Sequence, residues 1–342
     1  IEEPVLLYRK KNGDAVAMGN RCPHRFAPLH KGKLDDDCVE CPYHGLKFDG
    51  NGRCVHNPHG DGKIPKRAAV TAYPVVEQHD MLWLWMGDPA LADKATIPDF
   101  SCQADPNFPT VGGVIEMDAN YTLLIDNLMD LTHAQYLHFG LLDSPDGNYE
   151  KTETIQEGTT VWANNWLPNG AAPPAWGKMM GDYKAPVDHW QYMRWDAPAH
   201  MLLDVGITPT GKPRREGIWV YGTDILTPKD NNTTYYFWGV SRSHGCDDPE
   251  VGAAWEQAIE VAFRGQDKPM VEDVHAMMDG AAFEDLDPIL LNTDAGPVRC
   301  RRLLARLIAG DEEGRLPVPR HQALAELREL GAERSERVEP FV

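Results

Sequence analysis

"RCPHRFAPL" at 21–29 and "ECPYHGLKFDG" at 40–50 put Cys22 and His24 on one short stretch and Cys41 and His44 on another. A Cys-x-His pair and a Cys-x-x-His pair, with sixteen residues between His24 and Cys41, can close a four-ligand metal site from two loops of a β domain. Three occupants compete. Zinc accepts two Cys and two His. A four-thiolate cluster needs four placed Cys; only Cys38 stands near enough to join Cys22 and Cys41, and Cys54 lies beyond the second loop. In a Rieske [2Fe-2S] centre two Cys hold one iron and two His the other, so each loop would give one ligand to each iron.

The flanking residues weigh toward the third occupant. Pro23 and Pro42 stiffen the loops, and Gly45 permits a tight turn after His44. Zinc fingers usually follow their ligands with a helix, whereas "GLKFDGNGRCV" continues as a β-hairpin. "VLLYRKKNGDAVAM" reads as another hairpin, closed around Asn12 and Gly13, and "MLWLWMGDP" as a strand that stops at Pro89. Residues 1–100 are therefore expected to form a small antiparallel β domain, with the boundary in "GDPALADKATIPDF". The chain starts without Met inside a strand-like run, so a preceding segment is expected.

From about residue 112 the strands lengthen, and helical patterns interrupt them at 123–137, 250–279 and 297–309. An α+β domain over 101–342, built on a twisted antiparallel sheet, is the natural reading. The Pro- and Gly-rich stretch 167–187 reads as a long loop of the kind that walls pockets. The Glu- and Arg-rich tail after Asp311 reads as a solvated helix.

Composition narrows the function classes. With 342 residues, 42% of them apolar, the chain can bury a substantial core. A net charge of -19 disfavours nucleic acid as partner. No apolar run reaches the roughly 18–20 residues of a membrane span, and no signal peptide is legible. Seven scattered Cys are no disulfide framework, and a cytoplasmic location is expected. There is no G-x-G-x-x-G after a strand, so the chain has no legible means of collecting hydride electrons alone.

A second constellation lies in "NLMDLTHAQYLHF" at 127–139, with Asp130, His133 and His138 inside an otherwise apolar helical pattern. Five residues amount to about 140° around a helix, so His133 and His138 can share a metal only if the helix ends or widens between them, near Gln135 and Tyr136. Asp130, three residues before His133, can accept the second ring N–H of that imidazole through its carboxylate. Alone this pattern suits a hydrogen-bonded core. Beside a redox cluster, two His plus a carboxylate read as the facial triad of a non-haem Fe(II) oxygenase.

"CPHR", "CPYHG" and "DNLMDLTHAQYLH", in this order and at these separations, resemble the oxygenase component of the Rieske non-haem iron oxygenases. The likeness runs through nearly the whole chain. "CPYHGLKFDGNGRCVHNPHG" and "GDPALADKATIPDF" resemble the dicamba O-demethylases, and "LLNTDAGPVRCRRLLARLIAG" the vanillate O-demethylases. The resemblance implies a helix-grip-like catalytic domain, a [2Fe-2S] cluster on Cys22, His24, Cys41 and His44, and a mononuclear iron on His133, His138 and Asp267. Glu272 and Asp273 compete for the third position. It further implies Asp130 as a carboxylate bridging to His44 of the next subunit, Asn127 close to the iron, and a head-to-tail homotrimer. A separate reductase, with or without a ferredoxin, would supply NADH-derived electrons, and O2 would be the oxidant. Arg21, Arg25, Lys31 and Lys33 are candidate contacts for an acidic donor, with solvated loop charges as the plainer reading.

The expected reaction is O-demethylation of a methoxylated aromatic acid to a phenol and formaldehyde. Asp224, Arg194 and Trp166 are the candidate substrate contacts: Asp224 to accept from a phenol hydroxyl, Arg194 to pair with a benzoate, Trp166 to clamp a ring together with Trp176, Met179 and Met180. Asp224 stands where the dicamba enzymes carry a His, which speaks against dicamba itself. Two readings compete: hydroxylation of another aromatic without formaldehyde, and an electron carrier or zinc-stabilised binding protein without catalytic iron.

Overall fold

The computed structural model describes residues 2–146 and 151–312. It divides into two compact units, Ile1–Ile97 and Pro98–Val342. In the first, β1 (Val5–Arg9) pairs with β2 (Ala15–Gly19) around a turn where Gly13 takes φ +94°. β3 (Lys33–Asp35), β4 (Cys38–Glu40), β5 (Lys47–Phe48) and β6 (Cys54–His56) form a second antiparallel sheet. β7 (Ala72–Tyr73) completes the first sheet, and β8 (Val75–Gln78) pairs with β9 (Met81–Leu84). The turn between β5 and β6 requires Gly52: its φ is +75°, and a Cβ there would lie 2.1 Å from the Val70 carbonyl oxygen. Leu29, Val39 and Phe48 pack with Cys22, Cys41 and Cys54 in the small core beneath.

The second unit is built on one seven-stranded antiparallel sheet. Its strands are β10 (Thr110–Met117), β11 (Lys151–Glu157), β12 (Thr160–Gly170), β13 (Val187–Asp196), β14 (His200–Pro209), β15 (Ile218–Pro228) and β16 (Thr234–Arg242). Their order is β10-β16-β15-β14-β13-β12-β11, a meander with the first strand returned to the far edge. α1 (Tyr121–Met129), α3 (Pro249–Ile259), α4 (Lys268–Met277) and α5 (Ala295–Glu312) cover one face; α2 (Pro174–Met179) is a short turn. Met193, Met201, Val205, Val220 and Tyr236 share that core with Leu124 and Ile125 of α1, Trp255 of α3 and Leu303 of α5. None of the helices among the described residues is long and apolar enough to cross a membrane.

The register assigns each strand residue to a face, because side chains alternate with period two. Trp162, Arg194 and Leu202 lie opposite one another across β12–β14, on the face away from the helices. Two ion pairs are laid down on that face. Arg194 Nε lies 2.7 Å from Asp196 Oδ2 as an ion pair, and its Nη2 donates to the Asp99 carbonyl at 2.9 Å, over the Phe100 ring. Arg214 forks onto Asp204 between the rings of Trp190 and Trp219.

Three sequence expectations need correction. The α-helix ends at Met129, not near Tyr136, because Asp130 leaves helical dihedrals (φ -120°, ψ 84°) and its carboxylate accepts from the Thr132 N–H at 3.0 Å and hydroxyl at 2.6 Å. The expected long loop at 167–187 is shorter: β12 runs to Gly170, α2 interrupts the rest, and only 171–173 and 180–186 are irregular before β13 starts at Val187. β11 and β14 were not anticipated: "KTETIQE" is a polar edge strand, and "HMLLDVGITP" is interrupted by Asp204 and Gly206. The expected tail helix lies outside the described residues from 313 onward.

One clamp holds the helix that carries the site. Arg301 of α5 donates through Nε to both carboxylate oxygens of Asp126 on α1, at 2.9 and 3.0 Å, and lies over the Phe283 ring. Both side chains are largely withdrawn from water, so removing the cation would strand a buried carboxylate. Arg301→Ala is expected to cost about 3 kcal/mol in urea denaturation, and the Asp126→Leu/Arg301→Met double variant much less.

Candidate metal centre and cluster loops

The two Cys–His loops are copies of one another. In each, the Cys N–H donates to the carbonyl five residues on: Cys22 to Ala27 at 2.9 Å, Cys41 to Leu46 at 2.8 Å. The residue four positions on returns a bond to the Cys carbonyl, Phe26 at 2.9 Å and Gly45 at 3.0 Å, and both take left-handed φ, +60° and +69°. Glycine adopts that conformation freely; Phe26 does so at a cost, with its ring exposed.

These loops bring four donors to one place. The Cys22 thiol, pushed up to about 11 by burial, shares a hydrogen bond with Cys41. The His24 and His44 rings meet edge-on with centroids 4.5 Å apart. His44 Nδ1 is buried and has no hydrogen-bond partner among the described residues, while His59 Nε2 lies 2.8 Å from the His44 carbonyl. Burial and the neighbouring His24, His59 and Arg25 lower the His44 pKa, favouring the neutral imidazole that metals bind. Cys54 is engaged elsewhere, its thiol turned to the His56 carbonyl at 3.4 Å.

In the second unit the break at Asp130 opens into a short 3-10 turn, Leu131–Gln135, which turns His133 and His138 toward one point. Their rings lie 5.2 Å apart, and one ligand atom from each of His133, His138 and Asp267 falls within 4.8 Å of the others. Asp267 arrives from a π-helical segment, Glu260–Asp267, between α3 and α4. Five-residue spacing there buries Ala262 and Asp267 on the same side. Glu272 accepts from the Asp118 N–H at 2.7 Å and Asp273 is exposed, so neither joins the group. Asn127 Nδ2 donates to Asp267 Oδ1 at 3.3 Å.

Each imidazole is oriented by its other nitrogen. His133 Nδ1 meets the Asp130 backbone carbonyl at 2.7 Å, not the carboxylate that spacing suggested, since Thr132 occupies the latter. His138 Nδ1 meets Gln266 Oε1 at 2.8 Å. Both Nε2 atoms thus face Asp267, at 3.5 Å from His133 and 3.2 Å from His138. Gln266 escaped sequence reading, although it directly precedes Asp267; in an α-helix the two would diverge by about 100°. His133 is the more open imidazole, beside a groove of about 290 Å³ that Asn127, Asp130, Leu123, Met270 and Val274 also line.

The substrate candidates separate by face. Arg194 is spent on Asp196 and the Asp99 carbonyl, and Trp166, opposite Trp190, shares its outward face, so neither looks toward the metal-ligand cluster. Trp176 is core, edge-on to Trp255 at 4.9 Å, and Met179 and Met180 pack against the same core. Asp224 lies on the helix side, with Met201 and Trp238 opposite it in register. Tyr236, unnoticed in the sequence, donates to Asp224 Oδ1 at 2.6 Å.

Residues 1–74 match the Rieske [2Fe-2S] domain, and residues 117–310 the vanillate O-demethylase oxygenase C-terminal domain. The oxygenase component of dicamba O-demethylase from Stenotrophomonas maltophilia is 40% identical over 307 residues, 90% of this chain and 91% of that protein. The oxygenase component of chloroacetanilide N-alkylformylase from Rhizorhabdus wittichii is 38% identical over 302 residues, covering 88% and 86%. A crystal structure of dicamba monooxygenase with non-haem iron and dicamba superposes with TM-score 0.77 at 38% identity, over 92% of both chains.

Both of the family's iron centres fit the residues present: the cluster, the paired thiols and the orphaned His44 nitrogen; the single iron, two Nδ1-anchored imidazoles and a buried carboxylate. Gln266→Leu is expected to weaken Fe(II) binding to the single-iron site roughly 10- to 100-fold in titrations of iron bound beyond the cluster, with Gln266→Glu retaining most of the affinity. By its domain matches and its relatives, the chain belongs to the Rieske non-haem iron oxygenases, in the group whose catalytic domain is that of the vanillate O-demethylase oxygenases.

Proposed function

We propose that this chain is the oxygenase component of a monooxygenase that O-demethylates a methoxylated aromatic, with Cys22, His24, Cys41 and His44 holding the cluster and His133, His138 and Asp267 the single iron. The convergence of those last three residues in a chain that also carries the cluster loops is the observation that supports it. When bound, the two centres supply single electrons and dioxygen activation. One oxygen atom enters the methyl C–H bond, and the other leaves as water with two electrons and two protons. The resulting hemiacetal collapses to the phenol and formaldehyde.

The chain's own residues set the conditions for that chemistry. Asn127 holds one carboxylate oxygen of Asp267, and Gln266 with the Asp130 carbonyl fixes the two imidazoles. Asp130 is proposed as the link to His44 of a neighbouring copy in a head-to-tail ring of three, the symmetry that closes a heterologous contact. Exposed Tyr136 and Phe139 near His138, and exposed Phe26 and Tyr43 on the cluster loops, are apolar surface such a contact would cover. Exposed Arg21, Arg25 and Lys31 suit an acidic electron donor; Lys33 is paired with Glu40 at 3.1 Å. Arg194 is committed to Asp196 and the Asp99 carbonyl and does not serve as a counter-ion for a substrate carboxylate, so the proposal extends to methoxylated aromatics in general.

Purified protein with NADH, a surrogate reductase and ring-substituted methoxy aromatics is expected to release formaldehyde in step with oxygen uptake. Hydroxylated products without formaldehyde would overturn demethylation, and aldehyde only from N-alkyl substrates would move the reaction to nitrogen. His133→Ala is expected to abolish turnover while leaving the electron paramagnetic signal of the reduced cluster unchanged; retained turnover would remove the single iron from the reaction.

A further inference from the structure

β10 is an edge strand: β16 lies on one side of it and, among the described residues, no strand lies on the other. Residues two apart on a strand turn their backbone groups to the same edge, and an open edge presents unpaired N–H and C=O groups. Three side chains from the stretch of chain around Asp267 meet such groups at every second residue. Arg264 Nη2 donates to the Val114 carbonyl at 3.3 Å, Lys268 Nζ donates to the Glu116 carbonyl at 2.7 Å, and Glu272 Oε1 accepts from the Asp118 N–H at 2.7 Å. Four residues of α-helix advance about 6 Å and two residues of strand about 6.8 Å, so the Lys268 and Glu272 rungs keep step with Glu116 and Asp118. Lys268 and Glu272 also form an ion pair, and Arg264 pairs with Glu260 at 2.6 Å.

This row flanks the metal carboxylate, since Lys268 directly follows Asp267. On the core side the same stretch is held by Phe263, stacked on Tyr236 with centroids 5.5 Å apart, and by Val271 in the main core. Apolar contacts of that kind fix its distance from the sheet but are non-directional, whereas hydrogen bonds to the strand also fix its place along the edge and its rotation. Rotation matters here. π-helical turns are poor helix, and relaxation of one to α would swing Asp267 by about 100° relative to the residues before it. The last rung reaches further, because Asp118 stands just before Asn120, the N-cap of α1, whose side chain accepts from the Thr122 N–H at 3.0 Å. Asn127 on α1 donates to Asp267 Oδ1 at 3.3 Å. The Lys268–Glu272 pair thus joins the segment bearing Asp267 to the entry of the helix that leads to His133.

Resting on the reading of His133, His138 and Asp267 as iron ligands, we propose that Arg264, Lys268 and Glu272 are positioning residues for the single iron: the row registers the π-helical segment on the open edge of β10 and so holds the Asp267 carboxylate against the two imidazoles. Lys268 is the rung nearest Asp267, and it bonds both the strand and Glu272. Breaking the row falls on ligand geometry more than on folding. The side chains of Lys268 and Glu272 are each 25% exposed and that of Arg264 47%, so water takes up the freed groups at little cost in stability.

The test titrates Fe(II) anaerobically by calorimetry into full-length protein with its cluster loaded and its single-iron site emptied, and measures urea midpoints on the same preparations. Lys268→Met is expected to weaken Fe(II) binding about tenfold or more and to broaden the electron paramagnetic signal of the Fe(II)–nitric oxide adduct. Its urea midpoint is expected to match that of Lys229→Met, a control that removes a different cation from the same strand residue, the exposed partner of Glu116 Oε1 at 2.9 Å, and leaves iron affinity unchanged. Lys268→Arg, which keeps a donor in the row, is expected to recover most of the affinity. Glu272→Gln keeps an acceptor for the Asp118 N–H and loses only the ion pair, so its affinity is expected to fall between wild type and Lys268→Met. Iron affinity in Lys268→Met equal to that in Lys229→Met overturns the proposal, and so does a loss matched by an equal loss of folding stability. Wild-type protein that binds no iron beyond the cluster would overturn the oxygenase reading and this proposal with it, whereas tight binding that is indifferent to Lys268 removes the row's role alone.

Discussion

A two-imidazole, one-carboxylate metal site works only if ligand atoms from distant parts of the chain are held within 4.8 Å of one another. Most of the catalytic unit can be understood as the means of doing so. The Asp126–Arg301 clamp fixes α1 against α5. The Asx-type break at Asp130 then spends one side chain on ending the helix and one carbonyl on orienting His133. From the other direction, the π-helical segment presents Gln266 to His138 while Asp267 faces both imidazoles. Such segments are poor helix, and they persist where an ordinary helix would point the wrong side chain inward.

How much of this was legible in the sequence follows from how local each feature is. The cluster loops could be read because their ligands lie within three residues of one another and their turn residues are Pro and Gly; Phe26 in the left-handed position has no such signal. The His pair was legible as an anomaly in an apolar pattern. The helix break was placed too late because the Asp130 carboxylate was matched to the second ring N–H of His133 and not to the Thr132 N–H that it caps. The facing of Arg194 and Trp166 was not legible because it depends on register, and register depends on strands such as β14 whose pattern is interrupted by Asp204 and Gly206. Gln266 meets His138 across 128 residues of sequence, and nothing local marks it.

The sheet separates two uses of charge. On the face away from the helices, Arg194 pairs with Asp196 over the Phe100 ring and Arg214 with Asp204 between the Trp190 and Trp219 rings, so their charges are neutralised pairwise. On the helix face, His189 is wholly buried and driven down to about 3 by that burial, so it stays neutral throughout the physiological range. Burial of that depth lowers the effective dielectric around a group, which strengthens the polar contacts it keeps.

The two iron-binding regions consequently differ in what holds them. The cluster loops are closed by bonds between residues at most five positions apart, and their geometry survives as long as two short turns do. The triad has local support only at His133, through the Asp130 carbonyl; Asn127 and Asp267, which touch at 3.3 Å, are separated by 140 residues. Its geometry depends on the packing of α1 and the π-helical segment over one sheet, and any change that lets them shift opens the site before it unfolds the domain. Loss of the single iron with the cluster intact is therefore the failure that this architecture favours, because the cluster's turns need none of the long-range packing on which the triad relies.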